Sequence, residues 1–321
     1  MIGKGNISAT IIADSISPDG VRITTFELEY PRFIHAEFMT HRLFSRNAAS
    51  SRAIPVAKAI ELVKEKTDMP IHWGKNQPGM SAKEECEAFV MIMHHHLGHT
   101  HGMTQATREG AWEKARNKAI EVAEAYAKAG YHKQIVNRLL EPFTMIKVVL
   151  TATEYDNFFW LRNHPDAQPE IAELARVMWE EYNSSITIAL KANEWHTPYY
   201  EDGFWIDSGN GSDFHGNTLQ DALSISSSCC AQVSYRRLDD SLDKARDIFK
   251  RLVESKPVHA SPFEHQATPM SFTYDETGDK VHKWQEGITH QDRYNEVWSA
   301  NFRSWIQHRQ LIPEHTCWDY K

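Results

Sequence analysis

No stretch of this 321-residue chain approaches the roughly 18 uninterrupted apolar residues that a membrane-spanning helix needs. The opening residues, MIGKGNISATIIAD, lack the basic-then-apolar layout of a secretory signal, so a cytoplasmic protein with no membrane partner is expected. Cysteine is scarce. Cys86, Cys229, Cys230 and Cys317 are too few and too irregularly spaced for a disulfide framework or a zinc knuckle, which makes reduced thiols the expectation. Basic residues are outnumbered, 35 Lys and Arg against 43 Asp and Glu, for a formal net charge of −8. A general nucleic-acid binder needs the opposite excess to displace counterions from phosphates, so no nucleic-acid polymer is expected as a partner. Low-complexity segments are missing as well.

Ordinary globular patterning fills the chain instead. Two β-branched and aromatic runs, Thr10 to Ala13 and Val21 to Tyr30, flank the turn signal Ser17-Pro18-Asp19-Gly20 and predict a hairpin. Helices are predicted over Pro55–Lys66, Met80–Met93, Arg108–Ala129, Gln168–Leu190 and Ser241–Glu254, from apolar residues recurring at helical spacing. In the third, Trp112, Ala115, Ala119, Val122, Ala123 and Tyr126 form the inward stripe and Gly130 the C-terminal stop. In the fourth, Ile171, Leu174, Val177, Met178 and Tyr182 point inward, with Asp166 or a neighbour as the cap. A short strand or buried helix is expected at Val148–Thr153, and an irregular loop at Asp202–Asn217.

Between Thr40 and Arg52, the segment THRLFSRNAASSR packs three Arg, three Ser, a His and an Asn into thirteen residues. Guanidinium forks, short hydroxyl donors and turn amides together suit a phosphate or carboxylate, although a solvated loop of surface ion pairs has the same composition. The order of residues adds information that composition lacks. His41, Arg42, Ser45, Asn47, Ser50 and Arg52 resemble the motif RHRxxSxNExSxRY of the flavin-dependent thymidylate synthases. Thr40, Ala48 and Ala53 depart from it, standing where that family has Arg, Glu and Tyr. The run from Asn157 to Ile171 (NFFWLRNHPDAQPEI) resembles the family's NFLxLRxxxxAQxEI without a gap, and Asn137 to Pro142 resembles ARxxLP with one extra residue. Cys230-Ala231-Gln232-Val233-Ser234-Tyr235 and His259-Ala260-Ser261-Pro262-Phe263-Glu264-His265 are similar to its ARVSY and HxTPFEH elements. In the family those two elements come first. Here they come last, so the resemblance implies a circular permutation or, since Asn301 to Pro313 (NFRSWIQHRQLIP) faintly echoes the Arg/His motif, a duplication.

The resemblance implies an α/β fold of the α+β type, one permuted domain over residues 1–321 with insertions near 66–130 and 194–217. It implies FAD as cofactor, and NADPH and methylenetetrahydrofolate as co-substrates in the reductive methylation of dUMP to dTMP. The partner is a pyrimidine deoxynucleotide monophosphate, and the assembly is a homotetramer with sites between subunits. Arg162 falls on the catalytic Arg beside the pyrimidine. Ser50, Arg52 and Arg138 fall on nucleotide contacts, and Thr40, His41, Arg42, Asn157, His259 and Ser261 on flavin-contacting positions. Thr151 and Thr153 replace the family's Asn and Arg near the flavin. No cysteine nucleophile is implied.

Glu37 stands where the family has Gln near the base. An ionised carboxylate only accepts hydrogen bonds, so Glu37 either faces a cytosine amino group or pairs with a neighbouring Arg such as Arg42 or Arg162. Two alternatives therefore stay open: methylation or hydroxymethylation of dCMP, and a nucleotide-binding protein that has lost flavin chemistry. The His94–His101 stretch has imidazoles four apart, as helical metal ligands are. Gly98 weakens a helix there and no HExxH or Cys partner follows, so no metal site is assigned.

Overall fold

The computed structural model describes residues 1–95, 101–233, 240–278 and 280–320. The predicted hairpin forms the centre of the main sheet. Strands β1 (Ser8–Ile16) and β2 (Arg22–Pro31) run antiparallel, and the Ser17 hydroxyl accepts from Val21 N to close the turn. Beyond α1 (His35–Phe38), β3 (Ser45–Ala48) adds to the far edge of the sheet. Helix α2 (Val56–Glu65) follows, as expected.

The helix expected over Met80–Met93 does not form. The charged stretch before Phe89 lies extended against residues 73–75, with Lys75 N donating to Glu84 O and Cys86 N to Trp73 O. Strand β4 (Val90–His95) then pairs antiparallel with β5 (His101–Ala106). Strand-forming Phe89, Val90 and Ile92 and cross-strand pairing override the weak helical spacing. Residues 96–100 of the histidine stretch, and Ser234 and Tyr235 of the third block, lie outside the described residues.

Helix α3 (Arg108–Lys128) is capped by the Thr107 hydroxyl and stopped at Gly130, whose φ of 87° only glycine adopts freely. It buries Ile120 and Ala123 and half-buries Trp112 and Ala119, while Ala115 and Tyr126 are exposed; the helix packs on α2, on the turns around α4 (Lys133–Val136) and on β4 and β5. Strand β6 (Met145–Ala152) completes the sheet between β2 and β3, giving the order β3-β6-β2-β1-β7, with β7 (Ile188–Ala189) parallel to β1. Helix α5 (Asp156–Arg162) leads into α6 (Pro169–Ser184), whose cap is the Gln168 side chain rather than Asp166. Helix α6 stops six residues short of Leu190 because Ile188 and Ala189 pair with Ser15 and Ile16.

The two faces of the sheet differ. Phe26, Leu28, Tyr30, Ile146, Val148 and Leu150 pack against Phe158, Ile171, Leu174, Val177 and Met178 of α5 and α6. Each such side chain contributes about 1.5–3 kcal/mol on leaving water. Of the alternate residues, Thr25, Glu27 and Thr151 are polar and Ile23 and Val149 apolar, and this face is covered by the second half of the chain. That half contains α7 (Leu219–Ala231), which opens with a Thr218–Asp221 capping box, α8 (Leu242–Glu254), and a small sheet of Phe204–Trp205, Trp195–His196, Ala267–Pro269 and Trp305–Gln307. Gly203 lets this sheet approach: a Cβ there would lie 2.8 Å from Ala13 Cα.

On the polar face, Ser15 Oγ, His196, Thr25 Oγ1, Thr151 Oγ1 and His265 Nδ1 form one buried hydrogen-bonded chain with links of 2.7–3.0 Å. Burial drives both imidazoles down to about 3, with the Coulomb effect of His265 adding to the shift at His196, so both are neutral. Nearby, Glu27 accepts from Lys147 Nζ and from the hydroxyl of Tyr199, each at 2.8 Å. Asn47 Nδ2 donates to Cys230 O at 3.2 Å. The late elements resembling ARVSY and HxTPFEH therefore sit directly on β3 and β6.

Candidate functional site

Helix α1 and the loop after it place Glu37 and His41, and α5 places Arg162. They meet because His41, Phe38 and Phe44 share the Phe158 ring of α5, with the His41 and Phe158 centroids 4.9 Å apart and the rings perpendicular. Arg162 Nη1 donates to Glu37 Oε1 at 2.5 Å, and Arg162 Nε donates to His41 Nε2 at 3.0 Å. A guanidinium cannot accept, so His41 carries its proton on Nδ1. Burial, then the charges of Arg162 and Arg46, lower His41 to about 4, which keeps the imidazole neutral. Arg162 Nη2 makes no hydrogen bond among the described residues, and the guanidinium is thus held at two nitrogens with the third open to a ligand.

Of the two roles open to Glu37, pairing with an Arg is the one its contacts match. Thr40 and Arg42 are exposed beside His41, with Thr40 Oγ1 turned back onto Glu37 O, and Asn157 is exposed on the first turn of α5.

Ser50, Arg52 and Arg138 form a second group. The Ser50 side chain caps the turn Ser51–Ala53 by accepting from Arg52 N. Asn137 Nδ2 then ties the turn Asn137–Leu139 to it by donating to Ser51 O at 2.8 Å and Ile54 O at 2.9 Å. Arg52 and Arg138 are thereby carried, exposed, on adjacent turns. No hydrogen bond or ion pair among the described residues links this group to Arg162, Glu37 or His41.

His259 and Ser261 line an open cleft of about 400 Å³ with Arg46, Asn47 and Ala48 of β3 and Ala231, Val233, Leu252 and Pro262. Arg46 joins this cleft to the first group, since it lines the cleft and its charge acts on His41. The motif reading did not single out Arg46, because it occupies a variable position of the motif; its burial and its Nη1 bond to Phe38 O mark it only in three dimensions. The paired cysteines are not poised for chemistry: burial, then its neighbour Cys229, raise the Cys230 thiol well above its usual range. Among the described residues no group of three or more His, Cys, Asp or Glu could hold a metal ion, and no helix is long and apolar enough to cross a membrane.

The fold is a mixed α/β one in which α1, α5 and the loop between α1 and β3 carry a clamped guanidinium and a neutral imidazole, with a separate pair of exposed arginines on turns. The family profile described as Thymidylate synthase complementing protein matches residues 21–186, just over half the chain, and the chain belongs to this family. The match runs from β2 to the end of α6 and so includes Glu37, His41, Arg52, Arg138 and Arg162. No curated protein matches the chain.

Proposed function

We propose that this protein converts dUMP to dTMP with FAD as cofactor, methylenetetrahydrofolate as carbon donor and NADPH as reductant. The observation that carries this reading is the Glu37–Arg162–His41 arrangement, which fixes a guanidinium with one nitrogen free. A pyrimidine whose N3 and carbonyl oxygens face that nitrogen has its ring anion stabilised, which raises electron density at C5, where the carbon is added. Clamping matters because a preorganised donor pays no reorganisation when charge develops. Glu37 turns Oε1 onto Arg162, and the guanidinium it holds presents a donor to the base, which suits the O4 of uracil.

Ser50, Arg52 and Arg138 serve the 5′-phosphate, two permanent cations and a hydroxyl being suited to a dianion. The assembly proposed with this reading is a homo-oligomer, in which the phosphate contacts of one copy complete the base site of another. Donors of the cleft, Arg46, His259 and Ser261, suit a polar, anionic cofactor such as FAD, with Thr40, His41, Arg42 and Asn157 beside it. The bound flavin supplies the hydride. The neutral His41 offers its Nδ1 proton as a hydrogen-bond donor without adding a second charge beside Arg162. The contacts of Cys230 and His265 with β3 and β6 support a single permuted domain, in which the late blocks occupy the places of the family's early ones.

Purified protein reconstituted with FAD tests the reading. An absorption band of oxidised flavin that bleaches on anaerobic addition of NADPH is expected. A colourless protein that still binds dUMP would instead establish the nucleotide-binding alternative.

A further inference from the structure

The stretch Asn301 to Pro313 echoes the Arg/His motif in composition, but its contacts give it a different part. Asn301 Nδ2 donates to Leu43 O at 2.9 Å, across 258 residues of sequence. The Ser45 hydroxyl donates to Asn301 Oδ1 at 3.3 Å, and Gln307 Nε2 reaches both Ser45 Oγ at 3.3 Å and Asn301 Oδ1 at 3.0 Å. Leu43 and Ser45 flank Phe44, whose ring packs on His41 and Phe158. Between His41 and β3 the backbone is neither helix nor strand, so it has no ladder of its own to hold it. The strand Phe302–Arg303 that follows Asn301 is tied to the other half of the site. Arg303 N donates to Thr153 Oγ1 at 3.1 Å and Arg303 Nε to Glu154 Oε1 at 2.7 Å, at the junction between β6 and α5.

We propose that Asn301 and Gln307 are positioning residues: they hold the His41–Ser45 loop so that His41 stays seated against Arg162, and through it set cofactor and nucleotide binding. The proposal rests on the reading of His41 and Arg42 as flavin contacts. An amide is needed because the target is a carbonyl. A donor aimed at Leu43 O selects one conformation of the loop, whereas an apolar side chain of the same size would fill space without selecting it.

Asn301→Asp is the sharpest test, since it keeps the size and removes the donor; Asn301→Ala and Asp292→Asn accompany it. Asp292 organises the neighbouring turn, accepting from Tyr294 N, Glu296 N and Trp298 Nε1, and touches nothing in the loop. Three readouts are made: amide hydrogen exchange of residues 40–46 in the cofactor-free protein, the pKa of His41 by NMR, and FAD affinity by flavin fluorescence. Asn301→Asp is expected to speed exchange in 40–46 at least tenfold and raise His41 from about 4 toward 6.5. It should also weaken FAD about tenfold, as the loss of one to two hydrogen bonds implies, while Asp292→Asn changes none of the three. Unchanged exchange would show that the amide does not brace the loop. Faster exchange with unchanged FAD affinity would overturn the positioning role. A wild type that takes no FAD removes the flavin reading alone, and the exchange and His41 comparisons still decide the brace. If Asn301→Ala fails to fold, Asn301→Asp carries the comparison.

Discussion

The two faces of the central sheet are held by different physics. On one, Phe26, Leu28 and Leu150 meet α5 and α6 in an apolar layer. On the other, Thr25, Thr151, Asn47 and Glu27 meet His196, His265, Cys230 and Tyr199 through hydrogen bonds. Apolar burial is non-directional and supplies stability. Buried hydrogen bonds add little net energy but penalise every misregistered alternative, so they fix geometry. The second face is the one on which β3 and the cleft of His259 and Ser261 are assembled, where geometry counts.

The largest effect should come from breaking the apolar face. Phe26→Ala removes a fully buried ring packed against Tyr155 and should cost about 3–5 kcal/mol in urea denaturation. A cost near 1 kcal/mol would mean that this face is not the main source of stability. Next is Arg162→Lys, which keeps the charge but cannot bond Glu37 and His41 while presenting a third nitrogen. Turnover should fall about 10²–10³-fold, with the melting temperature little changed; near wild-type turnover would remove Arg162 from the chemistry.

Thr151→Val cuts the buried chain between His265 and Thr25 and should cost about 1–3 kcal/mol, with a cost below that of Thr25→Val plus Thr151→Val when both are made together. Full additivity would show that the links do not act as one chain. A pH series probes the same face. Unfolded histidine titrates near 6.5, whereas His196 and His265 are held at about 3 in the folded protein. Below 6.5 the unfolded chain takes up protons that the folded one refuses. The contribution of these histidines is thus intact above pH 6.5 and declines as pH falls toward 3. His196→Gln should flatten that decline in urea titrations between pH 7 and 4.5. The smallest effect belongs to Arg176→Ala paired with Glu180→Ala on the exposed side of α6, whose double-mutant cycle should give a coupling of about 0.3–0.5 kcal/mol.

The sequence revealed these regions unequally. The hairpin, α2 and α6 follow local rules, period-2 and period-3.6 spacing around turn and cap signals; the hairpin and α6 form the apolar face, and α2 packs on α3. The motif segment was legible because its chemistry is contiguous. Met80–Met93 reads as a helix, but its end forms the start of β4, since Val90–Met93 is too short to betray its period and its partner strand lies across the histidine stretch. His196 carries no local signal, and Asn301 and Gln307 are marked only as part of a segment that echoes the Arg/His motif, which says nothing of their role as braces. Each has a partner more than 150 positions away, and no local pattern encodes such a pairing.

The most direct test of the proposed activity is product formation. Protein loaded with FAD is mixed anaerobically with NADPH, methylenetetrahydrofolate and either dUMP or dCMP, and the nucleotides are separated by chromatography. The clamped Arg162 predicts dTMP from dUMP, no methylated product from dCMP, and loss of dTMP in Arg162→Lys. Methylated or hydroxymethylated cytosine nucleotide, with dUMP left unchanged, would contradict the account.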